Sequence, residues 1–301
     1  MTIIYPVPET LPDPRARFIQ IINTCLAFAE MGIKVRLFAP LNRGFSGEQV
    51  LEFYGMPAHP NLEIIRLPAF RRDGANFFRM SWHGIFYFFL LLHIVGDGSL
   101  KERDTVLFLR HLKLAHFLLR YRRFLRVPFI FEVHEIFHST TVNLRKRERI
   151  RNIELNVYRH ADVLVAISHS IRSVIEEMGI RERTIHVIPN GISQRWFSVQ
   201  KVPGSSAVCY TGSLYQWKGV DVLIRAMKHL PTERLIVVGG GSRLEELRKL
   251  AEEEGVAERV SFVGHVSHRE IPDYLSRMGI AGLPNLPSGP SKFTSPLEVC
   301  E

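Results

Sequence analysis

The sequence predicts two doubly wound α/β domains, the second incomplete. Short runs rich in β-branched and aromatic residues alternate with helical patterns along almost the whole chain, the signature of βαβ units around a parallel sheet. The 301 residues favour two domains over one, each long enough to bury its own core. An irregular stretch, Ser193–Ser206, interrupts the alternation with Pro203-Gly204-Ser205-Ser206 and reads as a linker, which divides the chain into residues 1–197 and 198–301.

The strands expected before the linker are Ile3–Tyr5, Val35–Phe38, Glu63–Leu67, Thr105–Leu109, Phe129–Val133, Val163–Ile167 and Thr184–Ile188. Four more follow it: Ala207–Thr211, Leu235–Val238, Val260–Val263 and Ile280–Leu283. Between them, Phe18, Ile21, Ile22 and Cys25 fall on one helical face, as do Ile171, Val174, Ile175 and Met178, and Val220, Leu223, Ile224 and Met227. Glycines 32 and 179 stand where the first two of these helices should stop. Near the end, Ser267 and Glu270 read as a capping box for a helix with Ile271, Tyr274, Leu275 and Met278 inward and Gly279 as its stop. These side chains are expected in the core, not on a ligand. Four strands are fewer than the six or so usual for such a domain. The final stretch, "SKFTSPLEVCE", ends inside what should be a new helix from about Pro296, so the second domain is expected to be cut short.

Hydrophobic content of 46% and charged content of 23% describe an ordinary soluble globular chain. The formal charge of +9 is unevenly placed, with 27 Lys and Arg against 18 Asp and Glu in residues 1–200 and 12 of each thereafter. Between Asp104 and Glu132, Arg110, Lys113, Arg120, Arg122, Arg123 and Arg126 meet no acid. Such a surface suits phosphate, nucleic acid or anionic lipid, and equally a solvated helix face. Cys25, Cys209 and Cys300 are too far apart for a Cys-x-x-Cys pair, which fits a reducing cytoplasm and argues against a disulfide framework or zinc site. The longest apolar run, Gly84–Val95, is too short to span a bilayer. It reads either as a core helix or as a helix lying at a membrane surface with Phe77, Phe78, Trp82 and nearby arginines. No basic-then-apolar leader opens the chain, so no signal peptide is expected.

Chemistry in an open α/β sheet belongs at the carboxyl ends of strands, where loops run into helix N-termini. "YTGSLYQWKGVD" (Tyr210–Asp221) is such a junction: Gly212 and Gly219 admit close backbone approach, and Lys218 sets a cation beside the helix start, a combination suited to a diphosphate. "VVGGGSRLEEL" (Val237–Leu247) is a second junction, but Leu244 occupies the third glycine position of a dinucleotide fingerprint. The first strand runs into "PVPETLPDP" with no glycine, so hydride transfer is disfavoured. "FEVHEIFH" puts His134 and Glu135 just past a buried strand, a costly place for polar groups without a use. There is no Asp-x-Asp, and no His/Cys cluster with ligand spacing, so no metal site is expected.

Taken in order, "FEVHEIF", "ADVLVAIS", "VIPNGIS", "YTGSLYQWKGVDVLIRAM", "LIVVGGGSRLEELRKLA", "RVSFVGHVSHREIPDYLSRMGIAGLP" and "SPLEVCE" resemble the family-4 glycosyltransferases of the GT-B fold over essentially the whole chain. The resemblance implies two Rossmann-like domains and retaining transfer of a sugar from a nucleotide-diphosphate sugar, UDP- or GDP-linked, to a glycan, lipid-linked or small-molecule acceptor. It places Lys218 on the diphosphate and His134 near the reacting centre. Gly212, Ser213, Gly241, Val266, Pro296 and Leu297 would line the donor pocket, and Glu301 would hold the ribose. Arg15, Arg17 and Glu135 fall on the acceptor side. Two departures stand out: Ser213 replaces the arginine many relatives carry, and Phe293 replaces the first glutamate of the Glu-x7-Glu pair. The expected setting is cytoplasmic, with a peripheral position on the inner membrane open through the basic first domain. The other readings are a nucleotide-sugar epimerase of the same architecture and a basic nucleic-acid-binding protein. Against the latter, the aromatics fall in apolar helix patterns and are not interleaved with the basic cluster.

Overall fold

A computed structural model of the chain describes residues 1–69, 83–96, 104–181, 183–191, 199–266 and 270–287. It forms two compact units, Met1–Pro189 and Asn190–Glu301.

The first unit is built on β1 (Thr2–Pro6), β2 (Lys34–Ala39), β3 (Leu62–Arg66), β4 (Thr105–Leu109), β5 (Phe129–Val133), β6 (Val163–Ala166) and β7 (Ile185–Val187). They pair in the order β3-β2-β1-β4-β5-β6-β7, all parallel. The order reverses at β1/β4, which makes the crevice above those two strands the switch point of the sheet. Parallel strands need crossovers, supplied here by α1 (Ala16–Glu30), α2 (Gly47–Phe53), α3 (Gly84–Gly96), α4 (Leu112–Leu119), α5 (Arg122–Leu125), α6 (Phe137–Thr140), α7 (Leu144–His160) and α8 (His169–Glu177). Right-handed crossovers put α1 and α2 on one face and α3, α4, α5, α7 and α8 on the other.

Local chemistry fixes the helix starts. Ser46 and Gln49 form a reciprocal capping box on α2, and Asn143 and Ser168 accept the backbone N–H of Lys146 and Ile171 at the heads of α7 and α8. The predicted stripe of α1 is buried as expected, with Phe18, Ile21, Ile22 and Cys25 packed against Tyr5, Leu37 and Phe108.

The second unit holds β8 (Ala207–Thr211), β9 (Leu235–Val238), β10 (Val260–Gly264) and β11 (Met278–Ala281) in the parallel order β10-β9-β8-β11. Its helices are α9 (Val220–Ala226), α10 (Leu244–Glu253) and α11 (Ile271–Leu275). Val220, Ile224 and Met227 lie in its core beside Tyr210, Val237 and Leu247.

One stretch departs from expectation. Helix α11 ends at Leu275, and Met278 and Gly279 belong to strand β11 instead of closing the helix. The stripe of Ile271, Tyr274 and Leu275 is only half-buried. Gly279 is there for space: a Cβ on it would lie 2.6 Å from the Ser206 backbone, where β11 runs along the start of β8. Ser267 of the expected capping box lies outside the described residues, and Glu270 at the N-cap makes no side-chain cap. Helix α3 buries Phe86, Tyr87, Leu90 and Ile94, so the core-helix reading holds for that face.

Candidate functional site

In the second unit the expected donor residues gather at the carboxyl edge of the sheet. The turns after β8 and β9 pack backbone against backbone: Gly212 N–H donates to the Val238 carbonyl (2.9 Å) and Leu214 N–H to that of Gly240 (3.0 Å). Gly239, at φ 141°, could carry no Cβ, because it would collide with the Gly212 carbonyl oxygen. A Cβ on Gly241 would stand 2.8 Å from Leu214 N. These glycines let two strand–helix turns close onto one another, and any ligand over them meets main chain. Tyr210 Oη donates to the Ser213 carbonyl (2.8 Å) and fixes the start of the first turn. Val266 follows β10 two residues past its end, next to β9 on the same edge.

The burial of Lys218 is the least expected feature of these turns. Far from being an exposed lysine, Lys218 is 6% exposed, in the single helical turn Gln216–Lys218 after β8, its Nζ 4.7 Å from the centre of the Trp217 ring. Gly219 follows at φ 67°, where a Cβ would also strike the Pro284 carbonyl oxygen. The segment after β11 is drawn against this turn, since Gly282 N–H donates to Cys209 O (2.8 Å) and Leu286 N–H to Trp217 O (2.9 Å). Behind it, Arg243 at the head of α10 reaches Asp221 (3.3 Å) and Glu246 (2.6 Å), which locks α9 to α10. Phe293, Pro296, Leu297 and Glu301 lie outside the described residues.

In the first unit the expected residues line the carboxyl edge around the switch point. Arg15 is the N-cap residue of α1 and is held by the Asp13 carboxylate (2.5 Å); Arg17 pairs with Glu9 (3.2 Å). Both guanidiniums lie over the Phe18 ring. Burial alone would raise the Asp13 carboxyl, but the Arg15 bonds outweigh it and hold it below the usual range. Glu135 accepts a hydrogen bond from Thr140 Oγ1 (2.9 Å).

His134 brings in two residues that sequence reasoning left aside. Its Nε2 lies 2.8 Å from Glu132 Oε2, a close contact but one whose N–H direction misses good hydrogen-bond alignment. The register pairs Leu109 with Phe131, so Arg110, just past the end of β4, and Glu132 fall in the next row, two rows above Phe108 and Ile130. Burial pushes Glu132 up, but His134 and Arg110 more than offset it and keep its carboxyl below the ordinary range. Burial, reinforced by Arg110, pushes His134 down against the pull of Glu132. The consistent state at neutral pH is an ionised Glu132 beside a neutral imidazole with its proton on Nε2, which leaves Nδ1 as the acceptor. A glutamate inside the otherwise apolar strand "FIFEV" was the available signal.

The next turn is anchored from below. Glu154, wholly buried on α7, accepts the Phe137 N–H (2.7 Å) and pairs with His138 Nδ1 (2.5 Å). Burial raises its carboxyl despite those donors. No group of three His, Cys, Asp or Glu side chains able to hold a metal ion occurs among the described residues.

Two doubly wound units, one with a buried lysine among glycine turns at its carboxyl edge, are the architecture of the GT-B glycosyltransferases. The chain belongs to glycosyltransferase family 4: the model of that family matches residues 19–195, and the model of the glycosyl transferases group 1 matches residues 194–288. It is 30% identical over 185 residues to a glycogen synthase of Mycobacterium tuberculosis, across 57% of this chain and 44% of that one. It is 29% identical over 155 residues to the D-inositol 3-phosphate glycosyltransferase of Xylanimonas cellulosilytica, across 44% of this chain and 37% of that one. These matches span less than half the length of either relative. Among solved structures, Anabaena HepE in complex with UDP superposes with a TM-score of 0.67 at 17% identity, over 95% of this chain and 74% of that one. The sucrose-phosphate synthase of Thermosynechococcus elongatus gives 0.67 at 15%, over 94% and 75%.

Proposed function

We propose that the protein is a retaining glycosyltransferase that takes a sugar from a UDP- or GDP-linked donor and passes it to a glycan, lipid-linked or small-molecule acceptor in polysaccharide or glycolipid synthesis, on the cytoplasmic side of a membrane. The observation that carries this reading is the burial of Lys218 at the carboxyl edge of the second sheet. A buried ammonium beside main-chain turns stabilises the diphosphate as negative charge grows on the leaving group. Gly212, Ser213, Gly241 and Val266 line the donor pocket on this reading, with Pro296, Leu297 and Glu301 completing it. His134, held neutral, offers Nδ1 as an acceptor near the transferred sugar, and the switch-point residues Arg15, Arg17 and Glu135 face the acceptor. The solved structures with bound UDP and UDP-glucose support a nucleotide-sugar donor.

The test is ligand-observed NMR of UDP, GDP and ADP sugars with this chain and with Lys218→Met, which keeps the length of the side chain. One nucleotide should bind, and the substitution should weaken it by roughly ten- to a hundredfold, the worth of a charge-assisted hydrogen bond. Equal binding by the folded variant removes Lys218 from the diphosphate. Donor turnover without any acceptor would point to the epimerase reading.

A further inference from the structure

The donor-site reading leaves one large surface of the first unit unexplained. Helix α3 is apolar on both sides. Its inner face is buried, but Phe88 (53% exposed), Leu92 (52%) and Val95 (52%) form an outward stripe at spacings of four and three residues. Phe124, 73% exposed, extends the stripe on α5, which packs against α3. Scattered exposed apolar residues mean nothing, but a contiguous stripe on one helical layer marks a contact surface.

Its surroundings say what it contacts. On α5 and just beyond it, Arg123 and Arg126 are exposed, and the remaining arginine, Arg122, is used internally on Asp162. Helix α4 packs between α3 and α7, with His116 Nδ1 3.1 Å from Asn156 Oδ1. Helix α7 opens with the exposed Leu144 and then presents Arg145, Lys146, Arg147, Arg149 and Arg151 to solvent with the single acid Glu148 among them. None of these five cations makes an ion pair among the described residues. An open surface depression of about 530 Å3 lies along α7 beside α4, lined by His116, Arg145, Glu148, Arg149, Asn152 and Asn156.

We infer that the outer face of the α3, α4, α5 and α7 layer docks on an anionic membrane surface. The apolar stripe enters the interface, and the cations of α5 and α7 meet lipid phosphates at headgroup level. At 13 residues α3 is too short to cross the bilayer, and no helix of the described residues is long and apolar enough to do so. Charge disfavours a second copy as the occupant, because a symmetric contact through this face would bring together two surfaces of the same net positive charge. A nucleic acid would match the charge but gives the aliphatic side chains of Leu92 and Val95 nothing to stack on.

The experiment is co-sedimentation of this chain with phosphatidylcholine vesicles made with and without phosphatidylglycerol, at low and high salt. The chain should pellet with the anionic vesicles only, and less so at high salt. Leu92→Asp should abolish pelleting. Arg145→Glu and Lys146→Glu should each weaken it by about fivefold or more, the equivalent of one surface charge. All three positions are exposed, so circular dichroism should find the variants folded. Equal behaviour with both vesicle types, no pelleting at all, or a Leu92→Asp variant that binds like the parent would overturn the inference. So would a concentration-dependent dimer that Leu92→Asp dissolves, which assigns the face to a second copy, or oligonucleotide binding that outcompetes the vesicles. Donor binding by NMR is read on the same variants, so loss of one property is not mistaken for loss of the other.

Discussion

Protonation of His111 and capping of α4 compete for the same nitrogen. His111 Nδ1 accepts the Leu114 N–H (3.1 Å) at the head of that helix, and the ring packs near Tyr87 and His83. Burial, opposed by Glu9, lowers the imidazole from 6.5 to about 4. A depressed pKa means that between those values the unfolded chain binds the proton and the folded chain does not, so the stabilisation is fully present above 6.5 and drains away as pH falls toward 4. The gap corresponds to about 3 kcal/mol. His111→Asn should separate the two roles, since asparagine caps as well but does not titrate. Urea denaturation at pH 7 and at pH 4 should cost the parent about 3 kcal/mol more than the variant. An equal loss in both would move the acid sensitivity to the paired carboxylates of Asp13 and Glu132.

Three consecutive glycines, 239–241, look alike in the sequence but differ once the elements are in place. Gly240 has room, because a Cβ on it would meet only His265 Cβ at 3.7 Å, an ordinary contact, whereas one on Gly241 would press on the Leu214 backbone at 2.8–3.0 Å. Neither has a positive φ, so only space distinguishes them. Gly240→Ala should leave stability within about 0.5 kcal/mol, while Gly241→Ala should cost about 1–3 kcal/mol and widen the junction between the β8 and β9 turns. Chemical denaturation checks the ranking; a reversed order would mean that the turns are not packed as described. The same contrast shows what a sequence can announce. Strands such as Phe129–Val133 were legible because β-branched and aromatic runs are bounded by turn residues. Strand β11 was misplaced by two residues because Gly279 after an apolar stripe reads as a helix stop, and only the neighbouring strand reveals it as a clearance. Helix α7 showed no face pattern because its inward residues are few, Glu154, Val157 and Tyr158, one of them charged. At the candidate site, Lys218 and His134 could be singled out from the loops that carry them. The Arg110–Glu132 row was not, because it depends on the register between two strands twenty residues apart in sequence.

At the scale of the whole molecule, each unit has its own sheet and its own hydrophobic core, so stability need not be a single number. The two units also carry different chemical handles. The His111 switch lies in the first, and the lysine turn proposed for the diphosphate lies in the second. Calorimetry should therefore resolve two transitions with opposite sensitivities. Lowering the pH from 7 to 5 should depress one of them and His111→Asn should blunt that effect. Saturating nucleotide diphosphate, at a hundred times its dissociation constant, should add about 2.7 kcal/mol to the other and raise its midpoint on the order of 10 °C. At the same nucleotide concentration, Lys218→Met should cut the second shift to about half or less and leave the first untouched. If nucleotide raised both midpoints together, both units would share in holding the ligand, and the donor site would have to include residues of the first. If it raised neither while NMR still detected binding, the nucleotide would be bound to the unfolded ensemble as tightly as to the native one. That outcome would remove the buried Lys218 turn as its binding site.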